Sequence, residues 1–275
     1  MNKWKKQCGI IIVVVVLIGL FCLWQNNALS DSYFTITHKK IDENLAGFKI
    51  VQISDLHNKQ FGKNQERLLK QIQEYNPDMI VVTGDLVDDN RTDIEAAMEF
   101  IRGAVTVADV YYVTGNHELW LEPSERELLL QQLEQAGVFI LNNTSVEITY
   151  LDTCFTLIGL DDKNLADDTL KNIMKQVDDK SYTVLLAHEP QHMDRYVECD
   201  VDLVLSGHAH GGQFSIPFIG GLFAPDQGFF PEYDAGLYSE NETDMIVSRG
   251  LGNSVIPLRL FNRPEIVYVE LETVQ

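Results

Sequence analysis

Basic residues are scarce in this chain, and their scarcity excludes one class of partner. Lysine and arginine total 21 against 41 aspartates and glutamates, so the formal net charge is -20 at pH 7. Proteins that bind nucleic acid neutralise its phosphates with lysine and arginine. We therefore expect no nucleic-acid binding surface. The acidic balance predicts a soluble surface, with a few carboxylates available to hold bound cations.

Cysteine is also scarce, with four residues in all. Cys8 and Cys22 lie in a long apolar run, and no cysteine spacing matches a zinc finger. Two alternatives are open for Cys154 and Cys199: a disulfide between them, or two free thiols. Because Cys154 lies in an apolar, strand-like run, we expect two buried thiols. The G-x-S-x-G motif and the P-loop are missing, so neither supplies a mechanism.

The N-terminus carries the longest apolar run. Residues 8–24 have no charged side chain and follow Lys3, Lys5 and Lys6. As a helix this run is roughly 25 Å long, close to the ~30 Å of bilayer hydrocarbon. No lysine or arginine follows until Lys39, so the positive-inside rule predicts a single-pass anchor with the rest of the chain on the extracytoplasmic side of the cell membrane.

A cleaved signal peptide is the alternative, and it would give a secreted protein. Ala28 to Ser30 form a small-x-small sequence that such a cleavage uses. We favour the uncleaved anchor because the apolar run is long for a signal peptide. A polar linker is expected over residues 25–32. The predicted division is residues 1–30 for the basic start, anchor and linker, and residues 31–275 for one domain.

Within that domain, apolar strands alternate with amphipathic helices, which indicates an α/β fold. The second half is richer in strands, and this favours two mixed sheets packed between helices. The predicted strands cover residues 48–54, 78–84, 109–115, 145–151, 154–160, 182–188, 201–208, 244–250 and 265–271. The predicted helices cover residues 64–75, 93–101, 123–137 and 168–177. A long segment with five aromatic residues, 215–236, is predicted to be a functional loop: a lid, a lipid-facing patch or core packing.

Polar residues follow the predicted strands at the point where each strand ends. The residues concerned are Asp55, His57, Asp85, Asp88, Asn116, His117, Glu118, His188, His208 and His210. Ligands in open α/β sheets bind outside the carboxyl ends of the strands, so these side chains are expected to meet at one edge. Each pair alone is typical of a turn or a helix cap. Five coincidences at strand ends indicate a metal or catalytic site instead.

The chemistry of these side chains restricts the metal. The ligands are oxygen and nitrogen without thiolate, which favours Mn, Fe or Zn and argues against a pure Mg or Ca site. Seven ligands are too many for one first-row ion. They suit two divalent ions that share a carboxylate.

The arrangement resembles the calcineurin-like metallophosphoesterase superfamily, in its bacterial membrane-associated or secreted branch. That family carries D-x-H, G-D-x-x-D, G-N-H-[DE], a single histidine and G-H-x-H in this order. The sequence has DLH at 55–57, GDLVD at 84–88, GNHE at 115–118, His188, and GHAH at 207–210. The resemblance covers the chain from about Lys49 onward.

The resemblance implies a role for each matching residue. One metal ion would be held by Asp55, His57 and His210, and a second by Asn116, His188 and His208, with Asp85 bridging both. His117 would be catalytic, as a general acid for the leaving group or as a stabiliser of charge on the phosphate. Asp88 and Glu118 would orient the ligands. The implied activity is hydrolysis of a phosphoester by a metal-activated water.

The substrate stays open at this point. A phosphodiesterase is favoured, with a phosphomonoesterase or protein phosphatase, a lipid-linked pyrophosphate hydrolase and a non-catalytic binding module as alternatives. An anchored chain favours a phosphoester derived from lipid or the cell envelope. Arg249 and either Arg259 or Arg263 are candidates to contact the substrate phosphate. For Arg259 and Arg263, a surface salt bridge is the favoured interpretation.

Overall fold

The parallel strands of two sheets end at one edge of the molecule. The structure, a computed structural model, describes residues 3–164, 168–216, 218–253 and 257–274. The helices are α1 (Lys3–Asn27), α2 (Glu66–Tyr75), α3 (Ile94–Ala104), α4 (Asn116–Trp120), α5 (Pro123–Gln135), α6 (Thr169–Met174) and α7 (Met193–Glu198).

The described residues form sixteen strands. The first eight are β1 (Ser30–Thr37), β2 (Lys49–Ile53), β3 (Met79–Thr83), β4 (Asp109–Val113), β5 (Phe139–Ile140), β6 (Thr144–Tyr150), β7 (Thr153–Gly159) and β8 (Thr183–Leu186). The others are β9 (Leu203–Ser206), β10 (Ser215–Ile216), β11 (Gly220–Gly221), β12 (Phe223–Ala224), β13 (Gly228–Phe229), β14 (Gly236–Glu240), β15 (Thr243–Val247) and β16 (Glu265–Glu272).

Both large sheets are mixed and have six strands each. The first has the order β1-β16-β2-β3-β4-β5 and the second β14-β15-β9-β8-β7-β6. Strands β2 to β5 are parallel in the first sheet, and β7, β8, β9 and β15 are parallel in the second. The fold predicted from the sequence, two mixed sheets between helices preceded by one apolar helix, is confirmed.

The core has three apolar layers, which explains why the central strands are apolar on both faces. On β2, Val51 and Ile53 pack under α2, α3 and α5, while Ile50 points to the second sheet. On β8, Val184 faces the first sheet and Leu185 faces α6 and α7. Because side chains alternate along a strand, a one-residue slip would exchange these layers. The register that brings the strand ends together is therefore strongly fixed.

The predicted polar linker is mostly structured. Helix α1 continues to Asn27, and β1 begins at Ser30. β1 pairs in parallel with the last strand, from Ser30 opposite Glu265 to Thr37 opposite Glu272. Only residues 28–29 therefore lie between helix and sheet. Tyr33, Phe34 and Ile36 are of residue types that favour strands, and they pack on β16 and its neighbours.

Two further expectations need correction. Cys154 is exposed, contrary to the buried thiol that we predicted, and Cys199 is partly buried; both are free thiols. The side chain of Cys154 is on the outward side of β7, whereas that of its neighbour Phe155 points into the layer between the sheets. The predicted helix over 168–177 is shorter, since α6 ends at Met174.

The segment 215–236 contains two short hairpins, β10–β11 and β12–β13. Phe218, Phe229 and Phe230 of this segment are exposed, whereas Ala224 is buried in the core near α7 and Tyr233 packs against it. Residue 217 of this segment and residues 254–256 of the last loop lie outside the described part of the chain.

Candidate metal centre

Each predicted ligand lies shortly after the end of a parallel strand. Asp55 and His57 follow β2, Asp85 follows β3 and Asn116 follows β4 in the first sheet. His188 follows β8 and the pair His208 and His210 follows β9 in the second sheet. The structure brings all seven side chains together at the shared edge, and all seven are buried.

The loops that carry these residues are strained. Five ligands have a left-handed backbone: Asp55 (φ 50), His57 (φ 44), Asp85 (φ 52), His208 (φ 64) and His210 (φ 49). For residues other than glycine, such a conformation costs about 1–3 kcal/mol each and persists only where the surroundings fix it. Clustering of this kind is typical of functional sites.

Close packing at the strand ends requires glycine before the ligands. Gly84 has φ +87, and a Cβ there would lie 2.6 Å from Nδ1 of His188. A Cβ on Gly115 would collide with the carboxylate of Asp85, and one on Gly207 with the hydroxyl of Ser54. The glycines in TGD, TGN and SGH therefore let three loops approach one another.

The first group of ligand atoms comes from Asp55, His57, Asp85 and His210, all within 4.8 Å of one another. Nε2 of His57 lies 3.3 Å from Nε2 of His210 and 3.6 Å from Oδ2 of Asp85. Nε2 of His210 lies 3.5 Å from Oδ1 of Asp55. Two imidazole nitrogens and two carboxylates converge on one point, as around a cation.

The second group contains Asp85, His188 and His208, again within 4.8 Å. Nε2 of His188 lies 3.2 Å from Oδ2 of Asp85 and 3.0 Å from Oδ1 of Asn116. Nδ1 of His208 lies 2.9 Å from the same Asn116 oxygen. Asp85 belongs to both groups, so its carboxylate lies between two potential ion positions.

Hydrogen bonds outside the two groups assign the histidine tautomers. Nδ1 of His188 lies 2.7 Å from the carbonyl oxygen of Thr83 and donates to it, which leaves Nε2, 3.2 Å from Oδ2 of Asp85, as the nitrogen available to a metal ion. Nε2 of His208 lies 3.0 Å from Oδ2 of Asp226 and donates to it, which leaves the Nδ1 lone pair facing Asn116. Metal ligands need such a lone pair, and a hydrogen bond at the other nitrogen fixes it. The side chains therefore fit divalent ions.

Burial and charge set the protonation of the site. Burial lowers the pKa of His57 to about 3 and holds the pKa of His210 well below its usual value, so both imidazoles are neutral. Burial opposes ionisation of Asp85, but His188 and His57 hold its pKa below the usual range. Although burial lowers it, the pKa of His188 is raised well above normal by Asp85 and Asp55. The buried carboxylates thus attract positive charge.

His117 lies beside this cluster at the start of α4. Its ring centre is 4.5 Å from that of His57, and its Nε2 is 3.9 Å from Oδ2 of Asp85. Nδ1 lies 2.7 Å from Oδ1 of Asp89, a residue that was not among those predicted from the sequence. The second aspartate of GDLVD, Asp88, instead accepts from the backbone of Asn90 and from Arg91, although it also approaches His57 and His117.

Glu118 connects two of the ligand loops. Its fully buried carboxylate accepts hydrogen bonds from the backbone N–H groups of Asp85 (2.9 Å), Leu86 (2.8 Å), Val87 (3.2 Å) and Gly115 (2.8 Å). The turn after β3 is thereby tied to the start of α4. The orienting role expected for Glu118 requires contacts of this kind between its carboxylate and the ligand loops.

None of the three arginines contacts the metal centre as a phosphate ligand would. Arg249 pairs with Glu265 at 2.7 Å, and Arg263 donates to the carbonyl of Leu29 and stacks over Trp24. Arg259 is buried, 1% exposed, so the surface salt bridge that we favoured for it is wrong. Its guanidinium donates to main-chain carbonyls and Asn253, and it also lies 3.4 Å from Nδ1 of His210.

Arg259 acts on the metal centre through a loop. It donates to the carbonyl oxygen of Gly252, and the N–H of Gly252 donates to the carbonyl oxygen of Asp55 at 2.6 Å. The side chain of Arg259 therefore fixes the loop that covers Asp55. Nothing in the local sequence distinguishes this arginine from a surface residue; only the fold places it next to His210.

Comparison with known proteins agrees with the geometry. The family model for calcineurin-like phosphoesterases matches residues 48–212. An uncharacterized metallophosphoesterase of Bacillus subtilis, YkuE, is 30% identical over 87% of this chain and 84% of its own length. The phosphodiesterase YaeI of Escherichia coli is 30% identical over 83% of this chain and 84% of its own.

The fold is also found among solved structures. TT1561 of Thermus thermophilus superposes with a TM-score of 0.50 at 13% identity, over 74% of this chain and 90% of its own. At that identity the likeness concerns the fold alone. The matched family model spans more than half of the chain and includes all the predicted ligands, from Asp55 to His210. This chain belongs to the calcineurin-like phosphoesterase family.

Proposed function

We propose that the chain is a dinuclear metal-dependent phosphodiesterase anchored in the cell membrane. The observation that carries the proposal is the position of Asp85, whose carboxylate belongs to both groups of converging ligand atoms. Asp55, His57 and His210 would hold one ion, and Asn116, His188 and His208 the other. Two bound divalent ions supply charge neutralisation for the phosphate and a water of lowered pKa as nucleophile.

The chain's own residues complete the site. Asp89 lies against Nδ1 of His117 and directs Nε2 towards Asp85 and the two ion positions. From there His117 can pass a proton to the oxygen of the leaving group, which is general acid catalysis. Glu118 and Arg259 position the loops that carry Asp85 and Asp55.

A diester is the proposed substrate because the relative YaeI is named a phosphodiesterase. Membrane anchoring rests on α1, in which Gln7–Asn27 is long and apolar enough to cross a bilayer. The lysines before the apolar run favour a catalytic domain on the extracytoplasmic side. Cleavage after Ser30, the alternative, would release the same domain. For the metals, Mn, Fe and Zn all suit this ligand set.

The test is hydrolysis of bis(p-nitrophenyl) phosphate by the detergent-solubilised full chain, stripped of metal and then refilled with Mn. Activity is expected only after refilling. In Asp85→Asn, one ligand oxygen becomes an amide nitrogen that cannot bridge two ions, so we expect a loss of about 1000-fold, of the order that a lost electrostatic group costs an active site.

Asp152→Asn is the matched control, since Asp152 is exposed in the turn between β6 and β7. It should leave turnover unchanged. Near-normal turnover by Asp85→Asn would contradict the bridging role. Cleavage of p-nitrophenyl phosphate in place of the diester would make the enzyme a phosphomonoesterase.

A further inference from the structure

The chain exposes a cluster of large apolar side chains close to the metal centre. This aromatic patch consists of Phe218, Ile219, Phe223, Phe229 and Phe230, with exposed fractions from 46% to 108%. Phe223 and Phe229 face each other across β12 and β13, with ring centres 5.4 Å apart. Contiguous exposed apolar residues mark a binding surface, and aromatic side chains are common where protein meets lipid.

The patch adjoins the metal centre. Asp226, in the turn between β12 and β13, contacts Nε2 of His208 at 3.0 Å. The N–H of Leu222 donates to the carbonyl oxygen of Gly212, two residues after His210. The same backbone segment therefore carries the exposed aromatic side chains and a contact to a proposed ligand.

The apolar helix contacts the loop that carries Phe261. Phe21 of α1 lies with its ring centre 5.8 Å from that of Phe261. Phe21 is six residues before the end of the Gln7–Asn27 span, about 9 Å along the helix axis. A bilayer around this span therefore reaches the level of Phe261, which is itself 57% exposed.

Main-chain hydrogen bonds connect that level to the patch. Phe214 forms a bridge with Leu260, and the N–H of Ser215 donates to the carbonyl oxygen of Leu260 at 3.0 Å. The hairpin β10–β11, with Phe218 and Ile219 at its turn, starts from this contact. The end of the helix, the loop of Phe261 and the hairpin are thus linked by one ring contact and two main-chain contacts.

We infer that the aromatic patch inserts into the bilayer next to α1, so that the metal centre acts on phosphodiesters in the lipid head-group layer. The inference rests on the proposed function and adds a substrate class and a binding surface to it. A lipid surface is the occupant because the hairpin of the patch is bonded to the loop that the end of α1 contacts, and α1 is long and apolar enough to span a membrane. Insertion keeps Phe218, Phe229 and Phe230 out of water and presents a head group to the site.

Insertion can be measured without any turnover. Phe229→Trp and Leu151→Trp are each reconstituted as full chains in phosphatidylcholine vesicles, with and without brominated lipid. A zwitterionic lipid avoids repulsion of the acidic domain. Leu151 is the matched control, because it is 70% exposed at the turn between β6 and β7, at the opposite end of β7 from the metal centre.

Emission from Trp4, Trp24 and Trp120 is measured in the wild type and subtracted. We expect brominated lipid to quench the added signal of Phe229→Trp about two-fold or more, and to leave that of Leu151→Trp unchanged. Equal quenching of both, or of neither, would overturn the insertion.

The substrate class is tested with two diesters that share a leaving group. Ethyl p-nitrophenyl phosphate is soluble, whereas hexadecyl p-nitrophenyl phosphate resides in the vesicle. The wild type with Mn should cleave the hexadecyl ester with a kcat/KM roughly 10-fold higher or more, because the patch brings the site to the ester. The combined variant Phe218→Ser, Phe229→Ser and Phe230→Ser should lose this preference, and Leu151→Ser should keep it.

The outcomes separate this inference from the proposed function. Equal kcat/KM for both esters, or an undiminished preference in the triple variant, would overturn the lipid substrate while the diesterase activity stands. Failure to cleave either ester with Mn would refute the diesterase, and the quenching result would still decide whether the patch inserts.

Discussion

His208 is able to offer Nδ1 to a metal ion because its other nitrogen is engaged. Nε2 donates to Asp226, and this hydrogen bond holds the pKa of the Asp226 carboxyl below its usual value. Loss of a partner at the far nitrogen of a metal-bound histidine typically costs about 10–100-fold in metal affinity. Asp226→Ala should therefore weaken binding of one Mn ion by about 10-fold or more, and Asp226→Asn less, since an amide oxygen still accepts.

Isothermal titration of the metal-stripped full chain with Mn measures this effect directly. Asp152→Asn, remote from the site and exposed, serves as the control. If Asp226→Ala bound both ions like the wild type, Asp226 would have no positioning role. A change confined to the melting temperature would lead to the same conclusion.

The carboxylate of Glu118 cannot be replaced by a neutral group of the same shape without loss of stability. Four backbone N–H groups point at its two carboxylate oxygens. Glu118→Gln replaces one oxygen with an NH2 group, which faces N–H groups in a buried place. Unsatisfied buried donors cost about 1–3 kcal/mol, so the free energy of unfolding in urea should fall by that amount.

Glu122→Gln is the control for that change, because Glu122 is exposed before α5. Equal free energies of unfolding for Glu118→Gln and Glu122→Gln would mean that the two ligand loops do not depend on the Glu118 carboxylate.

Strand β1 shows how an element outside the recognisable motifs contributes to the fold. Ile36 is buried between the sheets, and its strand pairs along its whole length with β16. Ile36→Ala should lower the free energy of unfolding by about 2–4 kcal/mol, as expected when a buried isoleucine leaves a cavity. Thr35→Ala, on the exposed side of the same strand, should cost far less. Equal effects in urea unfolding would show that β1 is not part of the core.

Prediction from sequence succeeded where the signal was local. The buried strands are continuous apolar runs, and the motif residues follow them directly, so the sequence alone predicts the shared edge of Asp55, Asp85 and His208. Strand β1 was missed because its partner β16 lies at the other end of the chain. Asp89, Asp226 and Arg259 were missed or misassigned because loops bring them to the site, and loop geometry depends on tertiary contacts.

Across the whole molecule, the end of α1 is hydrogen-bonded to the loops beside the candidate metal centre. Oδ1 of Asn26 accepts hydrogen bonds from the N–H of Arg259 at 3.0 Å and from Nδ2 of Asn253 at 3.2 Å. Lys59 donates to the carbonyl oxygen of Asn26 at 2.7 Å. Arg259 in turn holds Gly252 over Asp55. The helix therefore ends against the loop that covers one of the proposed metal ligands.

Asn26→Ala removes the acceptor of the buried N–H of Arg259 and of the partly buried Nδ2 of Asn253, at a cost of about 1–3 kcal/mol. We expect faster hydrogen exchange at Gly252 and a lower melting temperature of the full chain in detergent. Asn27→Ala is the matched control, because Asn27 is exposed and its side chain bonds only within α1, to the carbonyl of Leu23. If both variants exchanged and melted alike, the helix would be an independent tether. A difference would mean that α1 also positions the loop over Asp55, and that its removal disturbs the candidate metal centre.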